Sequence, residues 1–291
     1  MINIVLPTDF STISWNAIKY ALNLFEDKPC VFHLINTYTP IIHSIDYQLA
    51  SASQLEHNTK AKETSINGLA NLLKRIKRKF KNPKHTFTTI SSFDLLTPKL
   101  EQLTKEEDIN YIVMGTKGAT GSLGVLFGSN TIHVLKKVKC PVIAIPEGFA
   151  YKKPIELLFP SDYELRFKNS HIQPIIEIAQ MHHSNVNILN AGFGYDLSAK
   201  QEANKERLEV YFNKIAHLFH RVHHQGVSES IKNFQEKNRI NMLLMINNKH
   251  SFFENLFFKS IVNQIGLHLT IPFLVIPTFD IRHKRTLIDK T

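Results

Sequence analysis

Short runs rich in branched apolar residues alternate with longer stretches of helical period along the first half of the chain. Strand-like runs fall at 2–6, 30–36, 85–90, 111–114 and 141–145. Between them, Ser11 or Ser14 caps a helix whose apolar positions are Ile18, Ala21, Leu22 and Phe25. A longer helix carries Leu69, Leu72, Leu73 and Ile76 on one stripe, a third spans 95–105, and a fourth begins near Ser129. Strand and helix alternating in this way predicts crossovers between parallel strands, hence a five-stranded, doubly wound α/β domain.

The pattern then repeats. Val113-Met-Gly-Thr-Lys-Gly and Cys140-Pro-Val-Ile-Ala-Ile-Pro146 align without a gap on Leu244-Met-Ile-Asn-Asn-Lys and Ile271-Pro-Phe-Leu-Val-Ile-Pro277, 131 residues further on. Ile4-Val-Leu-Pro-Thr-Asp9 likewise resembles Leu157-Leu-Phe-Pro-Ser-Asp162. Two copies of one domain follow, over 1–147 and 154–278, with a tail over 279–291. The break lies in 147–154, where Gly148-Phe-Ala-Tyr-Lys-Lys-Pro interrupts the apolar pattern.

Composition narrows the class. A hydrophobic share of 43% with 21% charged residues excludes intrinsic disorder, and 291 residues suffice for two cores. Two cysteines, Cys30 and Cys140, both in apolar runs, are too few for a disulfide scaffold and fit a reducing cytoplasm. The expectation is a protein neither secreted nor membrane-spanning, because there is no basic leader with an apolar core and no long apolar run. A net charge of +10 leaves polyanionic partners open, nucleic acid among them, but both halves share it equally. Its densest patch, 74–84, is either a solvated helix end complementing the helix dipole or an anion-binding surface.

The most informative segment runs from Met114-Gly115 through Gly118, Gly121 and Gly124 to Gly128-Ser129-Asn130: five of the 11 glycines lie within 14 residues. Glycines between a strand and a helix start let bare amides converge on a phosphate, and the helix N-terminus adds its dipole. The spacing is neither G-x-G-x-x-G nor G-x-x-x-x-G-K-[ST], which disfavours dinucleotide enzymes and P-loop NTPases. What is present is G-x2-G-x9-G-S over Gly115, Gly118, Gly128 and Ser129. With Pro7-Thr8-Asp9-Phe10-Ser11, His33-Leu34-Ile35-Asn36 and the closing Pro141-Val-Ile-Ala-Ile-Pro146, it closely resembles the universal stress protein family across the first copy and, more weakly, the second.

The resemblance implies strand order 3-2-1-4-5 and, at this glycine spacing, ATP binding at the switch between strands one and four. Position by position, it implies that the Leu34 backbone meets adenine, that Pro7, Thr8 and Asp9 border the adenosine, that Met114 and Gly115 line the pocket, and that Gly118, Gly128, Ser129 and Asn130 hold the phosphates. Asp9 would bond ribose hydroxyls or act through Mg²⁺. Lys117 either pairs with phosphate or is a solvated loop lysine. The family also pairs domains through their last strands, which implies an intramolecular pseudo-dimer with Ile143, Ile145, Leu274 and Ile276 near the join, and leaves further homo-dimerisation open.

In the second copy every one of these glycines is replaced, Gly115 by Ile246, Gly118 by Lys249, Gly121 by Phe252, Gly124 by Asn255 and Gly128 by Lys259. Side chains there disfavour the amide nest and fill the phosphate's volume, so no ATP is expected in the second site, although Lys249 and Lys259 leave room for another anion. Asp162 and Ser260 persist, which strand-end packing and helix capping explain. The run His217-Leu-Phe-His220-Arg-Val-His223-His224 aligns with the third strand, so it is read as polar edge strand rather than zinc site. His182-His183 is read as a helix end, and Trp15 as helix-face packing. The leading functional expectation is an ATP-binding regulatory module of the stress response with an unknown protein partner. A slow ATPase and a nucleotide-free interaction protein with a basic surface are the alternatives. No catalytic base stands out beside the phosphates.

Overall fold

The computed structural model describes residues 1–39, 50–116, 127–192, 196–223, 226–248 and 270–278. In the first half these form β1 (Ile2–Pro7), α1 (Thr12–Leu24), β2 (Cys30–Tyr38), α2 (Ala50–Lys79), β3 (His85–Phe93), α3 (Leu96–Glu106), β4 (Tyr111–Gly115), α4 (Ser129–Lys137) and β5 (Val142–Ile145). The same alternation follows in β6 (Glu156–Pro160), α5 (Asn169–His182), β7 (Asn185–Gly192), α6 (Ala199–Phe212), β8 (Ala216–His223), α7 (Val227–Asn238), β9 (Met242–Asn247) and β10 (Phe273–Pro277). The 279–291 tail falls outside the described residues.

All ten strands join one sheet, in the order β3-β2-β1-β4-β5-β10-β9-β6-β7-β8. The left five are the expected 3-2-1-4-5 and the right five are the same order mirrored. Within each half the pairs are parallel, and the halves meet where β5 runs antiparallel to β10, with Leu274 opposite Ile143 and Val275 opposite Val142.

Period-two alternation sends neighbouring residues to opposite faces. Ile4, Leu6, Tyr111, Val113 and Ile143 join a core with α1, α2, α5 and α6, while Val5, Ile112, Met114, Val142 and Ala144 join one with α3, α4 and α7. Each core runs unbroken through the seam, since Leu274 and Ile276 belong to the first and Phe273 and Val275 to the second. Side chains tie the halves further. The Tyr111 hydroxyl donates to Glu177 Oε2 at 2.8 Å, and Asn247 Nδ2 donates to the Leu135 carbonyl at 2.8 Å.

The helix starts follow local chemistry. Ser11 caps α1, its Oγ accepting from Ser14 N at 3.2 Å. β2 and β3 run on to a Tyr38–Phe93 pair, beyond the expected ends, because the polar Thr and Ser of an edge strand keep good β geometry where hydrophobicity fades. His217, His220 and His223 lie on β8 at the sheet edge, and no group of three potential metal ligands occurs among the described residues. Among these residues no helix is long and apolar enough to cross a membrane.

Candidate functional site

The order of the first half puts the topological switch between β1 and β4, whose C-terminal ends lie side by side. After Pro7 the chain turns sharply under a set of short-range bonds. Thr8 N donates to the Ile35 carbonyl at 2.8 Å, continuing the ladder by one residue. Asn36 Nδ2 donates to the Thr8 carbonyl at 2.7 Å from a buried position. Thr8 Oγ1 accepts from Phe10 N at 3.0 Å, and Asp9 Oδ1 accepts from both Ser11 N at 3.1 Å and Ser11 Oγ at 2.5 Å. These bonds hold Phe10 at φ 62°, a left-handed conformation rare for an aromatic residue. Gly68 on α2 accommodates the ring, since a Cβ there would come within 2.4 Å of it.

Beside this turn opens a cleft of about 420 Å³, lined by Asp9, Phe10, Asn36, Thr37 and Tyr38 on the strand side and by Lys60, Thr64 and Ser65 on α2. Thr8 is buried beneath the turn and Asp9 exposed at its surface. Leu34 is not brought to this cleft. It stands inside the ladder, opposite Leu6 and Thr89, with its side chain fully buried in the core. The β2 residues that line the cleft, Asn36, Thr37 and Tyr38, come later along the strand.

On the neighbouring strand, Met114 and Gly115 are buried at the end of β4, Gly115 opposite Ile145. Thr131 Oγ1 donates to the Gly115 carbonyl at 3.0 Å, and Gly128 N donates to the Thr116 carbonyl at 2.7 Å. These bonds fix the start of α4 against the end of β4. Gly128 is the N-cap and supplies no side-chain bond, Ser129 and Asn130 are exposed in the first turn, and that turn carries no acidic residue. The positive end of the helix dipole therefore has no carboxylate of its own helix against it, while Lys136 and Lys137 complement the far end. An anion is the ligand such an end favours. Lys117, Gly118, Gly121 and Gly124 lie outside the described residues, as do Lys249, Phe252, Asn255, Lys259 and Ser260 of the second half.

The second half rebuilds four of the five bonds of the β1 turn, all but that of the Ser11 hydroxyl, whose place Glu164 takes. Ser161 N donates to the Leu189 carbonyl at 2.9 Å, Asn190 Nδ2 to the Ser161 carbonyl at 2.9 Å, Tyr163 N to Ser161 Oγ at 3.1 Å, and Glu164 N to Asp162 Oδ1 at 3.1 Å. Tyr163 takes φ 55° where Phe10 takes 62°. The surroundings differ. Gln201 Nε2 and Asn204 Nδ2 of α6 donate to the Asp162 and Tyr163 carbonyls at 2.9 and 2.8 Å, and Lys200 pairs with Glu164 at 2.9 Å. The Tyr163 ring is driven inward to 2% exposure, where burial pushes its phenol above the ordinary range, whereas Phe10 stays 37% exposed. At the end of β9, Ile246 replaces Gly115 and packs at 7% exposure.

The sequence reading missed the role of Asn36, although Asn190 in the matching place of the second copy was a visible signal. Two strand-end aspartates, each seated in the turn it stabilises, are also explained without any ligand, as the reading of Asp162 anticipated.

Fold and strand-end site together define a doubly wound α/β protein whose halves share one sheet and keep one strand-end turn of the same build each. Residues 1–146, half of the chain, match the Universal stress protein family, and the chain belongs to that family. It is similar to a universal stress protein of Methanocaldococcus jannaschii, at 24% identity over 147 residues that cover 49% of this chain and 80% of that protein. Among solved structures, a universal stress protein from Archaeoglobus fulgidus matches 96% of this chain and 97% of its own with a TM-score of 0.63 at 16% identity. A putative universal stress protein from Pseudomonas aeruginosa matches 96% and 94% with a TM-score of 0.57 at 10% identity. Both likenesses extend over both halves of the fold.

Proposed function

We propose that the first half binds an adenine nucleotide, ATP with or without Mg²⁺, and that the second half is its ligand-free structural partner. The chain then acts as a nucleotide-dependent regulatory module in a stress response. The observation that carries this reading is the contrast between two copies of one turn: that of the first half borders an open cleft, while that of the second is fastened to α6 by Gln201 and Asn204 with Tyr163 folded inward. The first turn of α4, with no side-chain cap and no acidic residue, turns its positive end to an anion, and Gly115 lacks the side chain with which Ile246 presents bulk in the twin. In this reading Thr8, Asp9 and Asn36 border the nucleoside, and Gly118, Gly128, Ser129 and Asn130 receive the phosphates with Lys117 beside them. Asp9 Oδ1 is engaged by Ser11, which favours a positioning role over that of a catalytic base and supports regulation rather than turnover. The two buried thiols, both unbridged, are in keeping with a cytoplasmic setting.

The test is direct. Denaturing the purified protein and chromatographing the supernatant should release adenine nucleotide at about one equivalent per chain, the stoichiometry of a single loaded half. Gly118→Val and Gly128→Lys should each abolish that peak, and Lys249→Ala should leave it unchanged. A blank from wild-type protein that also fails to take up added ATP would overturn the proposal.

A further inference from the structure

On the other side of Phe10, and sharing Phe10 and Thr64 with the strand-end cleft, lies a second cavity of about 340 Å³ between Thr8 after β1, the start of α1 and the middle of α2. Its lining on α2 is Thr64, Gly68, Asn71, Leu72 and Arg75, one helical stripe at i, i+4, i+7, i+8 and i+11. A stripe turned toward a neighbouring helix ordinarily carries large apolar side chains that close the gap. Here four of the five positions are polar or glycine, and the gap stays open. The opposing wall includes Phe10, Ser11 and Trp15.

Two features give this cavity a chemical preference. The Arg75 guanidinium lies 3.9 Å from the centre of the Trp15 ring, and among the described residues it makes no salt bridge to a carboxylate. A guanidinium that lies against an indole has its charge supported by the ring while its N–H edge still points outward, ready for a planar two-oxygen acceptor. Asn71, one turn earlier on the stripe, places an amide beside it. Lys79 adds positive charge 5.9 Å from the same indole. Phe10, Trp15 and Leu72 supply apolar wall, two of them aromatic, beside the hydroxyl residues Thr8, Ser11, Ser14 and Thr64. The volume is near the lower end of the range of roughly 300–1,000 Å³ typical of small-molecule sites.

We propose that this cavity is a second ligand site, adjoining the strand-end cleft at Phe10 and Thr64, and that it takes a small planar aromatic carboxylate. The carboxylate lies on the N–H edge of Arg75 with Asn71 beside it, and the ring lies against Phe10 with the largely buried Trp15 at the base of the slot. Arg75 and Asn71 select for the anion; Gly68 sets the width of the slot by fixing where the Phe10 ring rests.

Trp15 is the only tryptophan in the chain, so its fluorescence reports on this cavity alone. The experiment titrates the full chain with 4-nitrobenzoate, a contact quencher, and with uncharged 4-nitrobenzyl alcohol, correcting for absorbance with N-acetyltryptophanamide. Saturable quenching by the acid is expected, at least tenfold weaker for the alcohol and for Arg75→Gln, weakened also by Asn71→Leu, and unchanged by Arg78→Gln on the same helix. Binding should survive Gly128→Lys, which separates this site from the nucleotide site. Circular dichroism checks that the variants, all on an exposed helix face or a cap, remain folded. Quenching that rises linearly without saturation, or saturable quenching equally strong in Arg75→Gln, would overturn the proposal and reduce Arg75 to a packing residue.

Discussion

Phe10 and Tyr163 hold the same strained backbone angle and use it differently. A left-handed conformation costs an L-residue roughly 1–2 kcal/mol, and in both turns the flanking hydroxyl and aspartate bonds over-determine it. The asparagine behind each turn is the part most exposed to test. Asn36→Ala leaves the buried Thr8 carbonyl without its donor and should destabilise by about 1–3 kcal/mol in urea melts, with a loss of nucleotide affinity. Asn190→Ala should cost a similar amount and leave nucleotide content alone. Gly68 supplies a coupled pair. In a Phe10→Ala background, Gly68→Ala should gain the helix-propensity benefit of about 1 kcal/mol, whereas with Phe10 present the clash at 2.4 Å should consume most of it. A double-mutant cycle measured by thermal melting reads that coupling.

At the level of elements, the seam between β5 and β10 is the join on which both cores depend. Ile143 and Leu274 face each other there, fully buried. Leu274→Asp would bury an unpaired carboxylate, costing on the order of 3–5 kcal/mol, and should be seen as a large drop in the urea midpoint. The sequence exposed most of this architecture. Strong alternation and turn chemistry marked β1, β4 and β5, and the ungapped offset of 131 residues placed β8 over β3 correctly. The site was less legible because its geometry depends on which way a mid-strand residue faces. Family resemblance put the Leu34 backbone at the adenine; what it did not mark is Asn36, two residues on, whose side chain reaches the turn and lines the cleft. The fastening of α6 over the second turn was illegible for a related reason. Gln201 and Asn204 look like ordinary surface residues of a polar helix until the packing brings two carbonyls beneath them.

For the whole molecule, His182 ties stability to pH. It ends α5 in the second half, lies near the Leu24 backbone of the first half, and leaves Nε2 buried without a partner. Burial lowers its pKa from 6.5 to about 4, with Lys153 and His183 acting in the same direction and the Leu24 backbone and Asp27 opposing. Between those values the unfolded chain takes up a proton that the folded one refuses. The contribution is therefore complete above pH 6.5 and is lost as pH falls toward 4, on the order of 2–3 kcal/mol in all. His182→Gln should flatten this part of the stability curve measured by urea melts between pH 4 and 7.

Because the antiparallel join is made within one polypeptide, dilution cannot part the two lobes. A symmetric pair of separate subunits, each with a working pocket, would pass through empty, half-filled and filled forms as ligand rises. On the proposed function, with one open turn and one bolted shut, this protein is limited at that site to two forms, and its response to ligand should follow a plain hyperbola with a Hill coefficient of about one.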